Sequence, residues 1–206
     1  MERCVIVGGA DINNIEFVKS HLKENDFVVA CDRGLENADL LSVTPNLIVG
    51  DFDSHENPNL STETIVLPCE KDDTDTFFAV KEALRRGFDD FLLVGVFGNR
   101  LDHTFGNISV LLMLDSKGAK ALAVDDFSEI SIVSSKKAFV RDTCRFFSVI
   151  AVGGTAVNVT ERNSKYLLEN ATINPEYQYG ISNEVIPDKT AEISVSEGRL
   201  LLIVTY

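Results

Sequence analysis

Short apolar runs alternate with helical patterns over roughly the first 125 residues of the chain. The runs are rich in β-branched residues and end at glycines or acidic residues, as buried strands do. They are Cys4–Val7, Phe27–Cys31, Leu47–Val49, Thr64–Leu67, Phe91–Val94 and Ala121–Val124. Apolar residues at helical spacing lie between several of them, at 15–22, at 77–84 and at 105–112. This alternation predicts a mostly parallel sheet covered by helices.

The pattern changes after about residue 126. Helical spacing disappears, and short segments that often alternate are separated by turns rich in Gly, Asn or Ser. These segments are Ile130–Val133, Ala138–Arg141, Phe146–Val152, Ala156–Thr160, Ala191–Val195 and Leu200–Thr205. We therefore expect an α/β domain with a mostly parallel sheet at 1–126, followed by an all-β, sandwich-like domain at 127–206. About 80 residues of β-structure make a thin core, so we expect the second domain to lean on the first or on another subunit.

Composition excludes several classes of function. The chain has 206 residues and a net charge of −13, from 19 Lys and Arg against 32 Asp and Glu. This balance argues against nucleic acid as a partner, because phosphate backbones require a basic face. The apolar stretches are too short for a membrane span or a signal peptide. The 4 cysteines form no CxxC pair, which predicts free thiols in a reducing cytoplasm and argues against a zinc site.

Acidic residues follow nearly every predicted strand of the first domain. The segments concerned are Gly8–Asp11, Cys31–Gly34, Gly50–Ser54, Lys71–Asp75 and Gly98–His103. Ligands of a parallel sheet bind just beyond the carboxyl ends of its strands, so these segments should meet at one edge. Crowded carboxylates repel each other unless a cation compensates them, and Mg²⁺ binds carboxylates together with substrate phosphates. The sequence therefore predicts a metal-dependent phosphate-transfer site.

Each segment taken alone also has a purely structural interpretation. Asp51 and Asp53 can form a turn, and Thr74 and Asp102 can stand in the first turns of helices. Neither the dinucleotide-binding glycine motif nor the Walker motif is present. Independent caps, however, have no reason to follow successive strands of one sheet, and their combination favours the site.

Four motifs carry a resemblance to a known family. GDFDS (50–54), KDDTDT (71–76), GNRLDHTFGN (98–107) and YGISNE (179–184) occur in this order across nearly the whole chain. The chain thereby resembles the thiamine pyrophosphokinases. The resemblance implies a Mg²⁺-dependent transfer of a pyrophosphoryl group from ATP to the hydroxyl of thiamine, giving thiamine diphosphate and AMP. It also implies a cytoplasmic homodimer whose active sites lie between the first domain of one subunit and the second domain of its partner.

The resemblance also implies roles for individual residues. The Mg²⁺ ligands are expected to be Asp51, Asp53 and Asp75. Thr74 and Asp75 are expected near the thiamine hydroxyl, and Asp102 completes the acidic pocket; either Asp75 or Asp102 can accept the hydroxyl proton. Ser182 and Asn183 of the partner chain are expected to hold the thiamine pyrimidine. The residues expected to face ATP are Asp32, Lys71, Asp73, Asn99, Arg100 and His103.

Two departures from the family pattern leave alternatives open. Many relatives have a glycine where this chain has Arg33, so either the loop differs in shape, because arginine adopts a positive φ less readily, or the arginine contacts phosphate. The chain has no tryptophan to stack on thiamine, and Tyr179 supplies either a ring or a turn.

Two alternative functions follow from the same residues. A hydroxymethyl pterin can be the acceptor, since a pterin pyrophosphokinase branch shares the fold family. A non-catalytic thiamine or nucleotide sensor is the other alternative. The YGISNE segment favours thiamine, and the complete set of aspartates disfavours a sensor.

Overall fold

The computed structural model describes residues 2–51, 61–68, 70, 72–98 and 100–206. The chain divides into two compact units, Met1–Asp126 and Phe127–Tyr206.

The first unit contains a parallel sheet. Within the described residues its strands are β1 (Cys4–Val7), β2 (Phe27–Cys31), β3 (Leu47–Gly50), β4 (Glu63–Val66), β5 (Asp90–Val94) and β6 (Lys120–Val124). They lie in the order β4-β3-β2-β1-β5-β6, and each neighbouring pair is parallel. The helices are α1 (Ile15–Lys19), α2 (Gly34–Leu40), α3 (Asp75–Arg85) and α4 (Leu101–Ser116). The expected mostly parallel α/β fold is confirmed.

The central strands are buried because helices cover the sheet. Every residue of β1 is inaccessible to solvent, and Val5 and Val7 pack with Leu92 and Val94 of β5 in one apolar cluster. Ala38 of α2 joins this cluster. Periodicity did not predict α2, because its inward residues include a glycine and an asparagine rather than an apolar stripe.

The second unit is an antiparallel sandwich. Its strands are β7 (Ser128–Val133), β8 (Ala138–Arg141), β9 (Phe146–Ala151), β10 (Ala156–Arg162), β11 (Leu168–Ile173), β12 (Thr190–Ser194) and β13 (Leu200–Thr205). In this unit β13 lies between β7 and β9, and the other four strands pair in the order β11-β10-β12-β8. Phe147 and Leu202 of one sheet share a buried core with Val140 and Ile193 of the other. The all-β expectation is confirmed, although the mostly exposed strand β11 was not predicted.

The described cysteines are free thiols. Cys4 and Cys31 are buried, whereas Cys144 is half-buried and Cys69 lies outside the described residues. Burial raises the pKa of the Cys4 thiol to about 12, so this side chain stays protonated and packs as a small apolar group. Among the residues that the structure describes, no helix combines the length and the hydropathy needed to cross a bilayer.

Candidate active site

A cavity of about 310 Å³ opens in the first unit, where the chain leaves β1, β2 and β5 and where α3 and α4 begin. Each of these five elements contributes side chains to its wall. The polar ones are Asp11 after β1, Asp32 and Arg33 after β2, Thr74, Asp75 and Thr76 at the start of α3, and Arg100, His103 and Asn107 from the start of α4. Two helix N-termini beside one cavity favour an anionic ligand, because their free N–H groups and dipoles attract negative charge.

The floor of the cavity is made of closely packed loops. The N–H of Gly8 donates to the carbonyl of Val94 at 2.9 Å, and that of Ala10 donates to the carbonyl of Gly95 at 2.8 Å. A Cβ on Gly8 would lie only 2.5 Å from the Gly95 oxygen, so the two chains can approach in this way only with glycine. Asn37 of α2 donates to the carbonyls of Gly8 and Ala10, at 2.7 and 2.8 Å. The loop after β1 is therefore held from two sides.

The turn after β2 brings a carboxylate next to the end of β3. Asp32 has a φ of +46°, and its N–H donates to the carbonyl of Val49 at 2.8 Å. A Cβ on Gly50 would lie 3.2 Å from the Asp32 Cα, so the chain entering Asp51 passes close to Asp32. Arg33 itself has a φ of −57°, so this position does not require the positive φ that favours glycine. The residue with the left-handed backbone conformation is Asp32, and aspartate tolerates a positive φ better than most residue types.

The start of α3 combines capping with exposure to the cavity. The Thr74 hydroxyl oxygen accepts from the N–H of Phe77 at 3.2 Å, as an N-cap does. Thr74 and Asp75 nevertheless both line the cavity. Asp73, which precedes α3, forms an ion pair with Lys81 of that helix.

At the start of α4, the guanidinium of Arg100 is paired with the carboxylate of Asp102. Nε and Nη2 of Arg100 donate to the two carboxylate oxygens of Asp102, at 2.9 and 2.6 Å. The Arg100 guanidinium holds the pKa of Asp102 well below its usual range. The amide of Asn107 donates to the Val96 carbonyl at 2.6 Å and fixes the loop after β5.

Two of the carboxylates at the cavity act on the same buried thiol. Burial raises the pKa of the Cys31 thiol, and the negative charges of Asp75 and Asp32 raise it further, so both carboxylates lie near this buried sulfur. Among the described residues, no group of three or more His, Cys, Asp or Glu side chains is arranged to hold a metal ion alone. Mg²⁺ commonly takes one or two carboxylates and completes its shell with waters and substrate phosphates, so this oxygen donor set fits it.

The structure brings some of the predicted site residues together at the cavity, and others lie elsewhere. Those that line it are Asp32, Thr74, Asp75, Arg100 and His103. Asp51, Asp73 and Asp102 belong to the same segments but do not form part of its wall. Asp53, Lys71 and Asn99 lie outside the described residues.

The two predicted residues of the second unit differ in their surroundings. Ser182 is exposed, has a φ of +56°, and donates its backbone N–H to the Ser148 hydroxyl oxygen at 3.0 Å. Asn183 is 3% exposed, and among the described residues every hydrogen-bond partner of its side-chain amide lies within the unit. Tyr179 is 53% exposed.

Asn37 has a role at the cavity floor that was not predicted from the sequence. Its side chain is buried on α2 and ties together two backbone carbonyls that shape the cavity floor. An asparagine on the inward face of a short helix is the signal that can reveal such a residue, because a buried amide must find hydrogen-bond partners.

Two family models match the chain. The thiamin pyrophosphokinase catalytic domain matches residues 18–123, and the thiamin pyrophosphokinase vitamin B1 binding domain matches residues 131–200. These matches confirm the resemblance carried by the four motifs.

Individual relatives match over nearly their full length. The thiamine pyrophosphokinase of Bacillus subtilis (strain 168) is 26% identical over 211 residues, with 98% of each chain covered. The crystal structure of thiamin pyrophosphokinase from Geobacillus thermodenitrificans has a TM-score of 0.82 at 28% identity and covers 99% of this chain and 97% of its own. The Candida albicans enzyme has a TM-score of 0.78 at 13% identity and covers 99% of this chain and 88% of its own, which shows the shared fold.

Proposed function

The chain belongs to the thiamin pyrophosphokinase family, and we propose that it transfers the pyrophosphoryl group of ATP to the hydroxyl of thiamine. The products are thiamine diphosphate and AMP: the hydroxyl oxygen forms a bond to the β-phosphorus, and the bond from the β-phosphorus to the AMP oxygen breaks. The observation that carries this proposal is the cavity in which Asp32, Thr74, Asp75, Arg100 and His103 meet.

The nucleotide is bound by charge and by helix ends. Arg33 and Arg100 supply cationic groups at the cavity wall, and the N-termini of α3 and α4 add partial positive charge. Phosphoryl-type transfer needs little covalent help from a protein, so positioning and neutralisation of charge supply most of the catalysis. Lys71, Asp73, Asn99 and His103 are further proposed contacts of ATP.

Asp51, Asp53 and Asp75 are the residues that we propose hold Mg²⁺. When bound, the ion neutralises phosphate oxygens and orients the β-phosphoryl group. Two observations within the described residues support this proposal. The chain that leads into Asp51 passes beside Asp32, and Asp75 lines the cavity.

Asp75 is the better candidate to accept the thiamine hydroxyl proton. Arg100 pairs with Asp102 and lowers its pKa, and Mg²⁺ would act in the same direction on Asp75, so position rather than basicity distinguishes the two carboxylates. Asp75 lines the cavity, whereas Asp102 does not. The acidic wall also attracts the fixed positive charge of the thiazolium ring.

The proposal also includes a site for thiamine between two subunits. We propose a cytoplasmic homodimer in which the Ser182–Asn183 segment of one subunit meets thiamine at the partner's catalytic unit. The family match to a vitamin B1 binding domain over residues 131–200, which includes this segment, supports its role in substrate binding.

The nucleotide released from thiamine and Mg-ATP tests the reaction directly. We expect AMP in equal amount to thiamine diphosphate; ADP would mean transfer of a single phosphate, and turnover only with a hydroxymethyl pterin would identify the other acceptor. The Asp75→Asn variant should lose at least about a hundredfold in turnover, because it removes a charge that acts on the transition state. Asp89→Asn is the matched control, since Asp89 precedes β5 and so stands at the opposite edge of the sheet.

A further inference from the structure

The donors and acceptors of the Asn183 side chain all form hydrogen bonds to residues of the second unit. Its Oδ1 accepts from the N–H of Tyr166 at 3.0 Å and from its own neighbour, the N–H of Glu184, at 2.9 Å. Its Nδ2 donates to the carbonyl of Tyr166 at 2.7 Å and to Oε2 of Glu161 at 2.6 Å. An amide has two donor hydrogens and two acceptor lone pairs, so no capacity is left for a substrate.

Glu161 is a buried acid whose side chain is hydrogen-bonded to this asparagine. It lies on β10, is 1% exposed, and uses Oε2 to accept the Asn183 amide. Its Oε1 is buried and makes no hydrogen bond within the described residues. A buried acid held by one amide costs folding free energy, so a purely structural explanation for its presence is weak.

The segment that carries Asn183 is fixed along its length. The N–H of Val149 donates to the carbonyl of Gly180 at 2.9 Å, and Phe147 and Asn183 exchange two backbone hydrogen bonds of 2.9 and 2.8 Å. Between these points Ser182 takes its positive φ and its side chain is exposed. The exposed serine is thus presented by a turn whose next residue is anchored in the interior.

We infer that Glu161 and Asn183 form a buried positioning pair that presents Ser182 to thiamine, and that Asn183 does not itself contact the substrate. This inference rests on the proposed function and reassigns one residue of the expected binding pair. Asn183 joins β10 to the Tyr166 backbone and so fixes the turn from which Ser182 is exposed beside β9. Ser182 then provides the contact, and Glu161 acts on thiamine only through Asn183.

The charged groups near the pair lie outside it. Lys165 and Glu184 are joined to each other at 2.6 Å, and Glu192 of β12 is joined to Lys137 at 3.2 Å. Arg162 on β10 and Glu169 on β11 are exposed. Burial raises the pKa of Glu161 to about 7, and the amide of Asn183 opposes that shift, so the carboxyl is partly protonated at neutral pH.

Exchange of donor and acceptor tests the pair. Asn183→Asp places a carboxylate against Glu161 and should raise the KM for thiamine at least about tenfold while leaving the KM for ATP unchanged. Glu161→Gln supplies an amide that can donate to that carboxylate. In the Glu161→Gln, Asn183→Asp double variant we therefore expect at least about a threefold recovery of the thiamine KM, and a recovery of the thermal midpoint in parallel.

Three controls make the experiment decisive. Glu192→Gln, a matched change on the adjacent strand, should neither rescue Asn183→Asp nor change the thiamine KM by itself. Ser182→Ala should raise the thiamine KM without lowering the thermal midpoint, as a contact residue does. Equal losses from Asn183→Asp in the wild-type and Glu161→Gln backgrounds would overturn the inference and assign Asn183 to direct contact.

The two hypotheses fail in different ways. A wild-type chain that releases no AMP from thiamine and ATP would overturn the proposed function, and with it the link between this pair and thiamine. An active wild-type chain without coupling between positions 161 and 183 in the thermal midpoint would overturn the inference alone.

Discussion

At the scale of single residues, side chains that cap a helix or fix a loop also line the cavity. Thr74 caps α3 through its hydroxyl and also lines the cavity, and Asn107 fixes the loop after β5 from a position on the cavity wall. The structural interpretation of these residues is therefore correct and does not exclude the functional one. A side chain at the start of a helix beside the carboxyl ends of parallel strands is placed for both tasks.

Arg33 is expected to bind the phosphates of ATP. Its Nε donates to Glu36 at 3.1 Å and its Nη2 to Asp11 at 3.3 Å, which leaves other N–H groups of the guanidinium at the cavity wall. Arg33→Gln should raise the KM for ATP about tenfold and leave the KM for thiamine unchanged, because charge-assisted hydrogen bonds to phosphate are lost. Arg33→Lys should restore part of the affinity in the same steady-state assay, and an unchanged ATP KM in Arg33→Gln would contradict this role.

Glu161 is expected to make the stability depend on pH in a direction opposite to that of most acids. Its pKa is about 7 in the folded chain against an ordinary 4.5, so the folded state holds a proton that the unfolded state releases. The free energy of unfolding contributed by this group therefore falls between pH 4.5 and about 7 and is constant above that range.

Urea unfolding of the wild type and of Glu161→Gln checks this sign. The stability of the variant relative to the wild type should increase from pH 5 to pH 8, by up to about 3 kcal/mol, since each unit of pKa shift corresponds to about 1.4 kcal/mol. Glu192→Gln serves as the control, with a difference that does not change with pH. A constant difference for Glu161→Gln would show that its carboxyl titrates normally.

At the scale of elements, the cavity depends on how closely the helices approach the strand ends. A Cβ on Gly34, the first residue of α2, would lie 2.0 Å from the carbonyl oxygen of Val7 at the end of β1. This contact sets the position of α2, and hence of Asn37, which holds the loop after β1. Glycine is needed here for close packing of helix against strand.

Two glycine substitutions separate close packing from helix propensity. Gly34→Ala should lower the free energy of unfolding by about 2–3 kcal/mol, because the backbone oxygen of Val7 cannot move aside without disturbing β1. Gly106→Ala on α4 should raise it by about 0.5–1 kcal/mol, since nothing lies within 4 Å of its added Cβ and alanine favours the helix. Chemical denaturation measures both, and equal effects would contradict the packing argument.

At the scale of the whole molecule, the cavity and the Ser182–Asn183 segment belong to different units of the chain. The proposed homodimer unites the units across subunits. Mixed dimers of Asp53→Ala and Asn183→Ala chains should then recover about a quarter of the wild-type activity, because half of the dimers are hybrids and each hybrid has one intact site of two.

The complementation experiment has an internal control. Asp53→Ala mixed with Asp75→Asn should recover no activity, because both changes fall in the same unit and no hybrid contains an intact site. Failure of the Asp53→Ala and Asn183→Ala mixture to recover activity, with hybrid formation verified by mass, would contradict a site shared between subunits.

Hydrophobic patterning determined most of the architecture. The strands Cys4–Val7, Phe27–Cys31, Ala138–Arg141 and Leu200–Thr205 have the predicted bounds, because burial on one or both faces leaves a direct trace in the sequence. Helix α2 and strand β11 leave little such trace, since the first buries a glycine and an asparagine and the second is mostly exposed. Both were seen only in the structure.

The sequence by itself determined the family and predicted which segments form the site, because motif order and the placement of acids after strands are properties of the chain. Only the tertiary structure decided what each side chain does there. In the folded chain the positive φ belongs to Asp32 rather than to Arg33. Asp102 is paired with Arg100, and Asn183 is buried against Glu161. These outcomes depend on partners distant in sequence or on backbone angles, and a hydrogen bond exists only when folding brings its donor and acceptor to the same place.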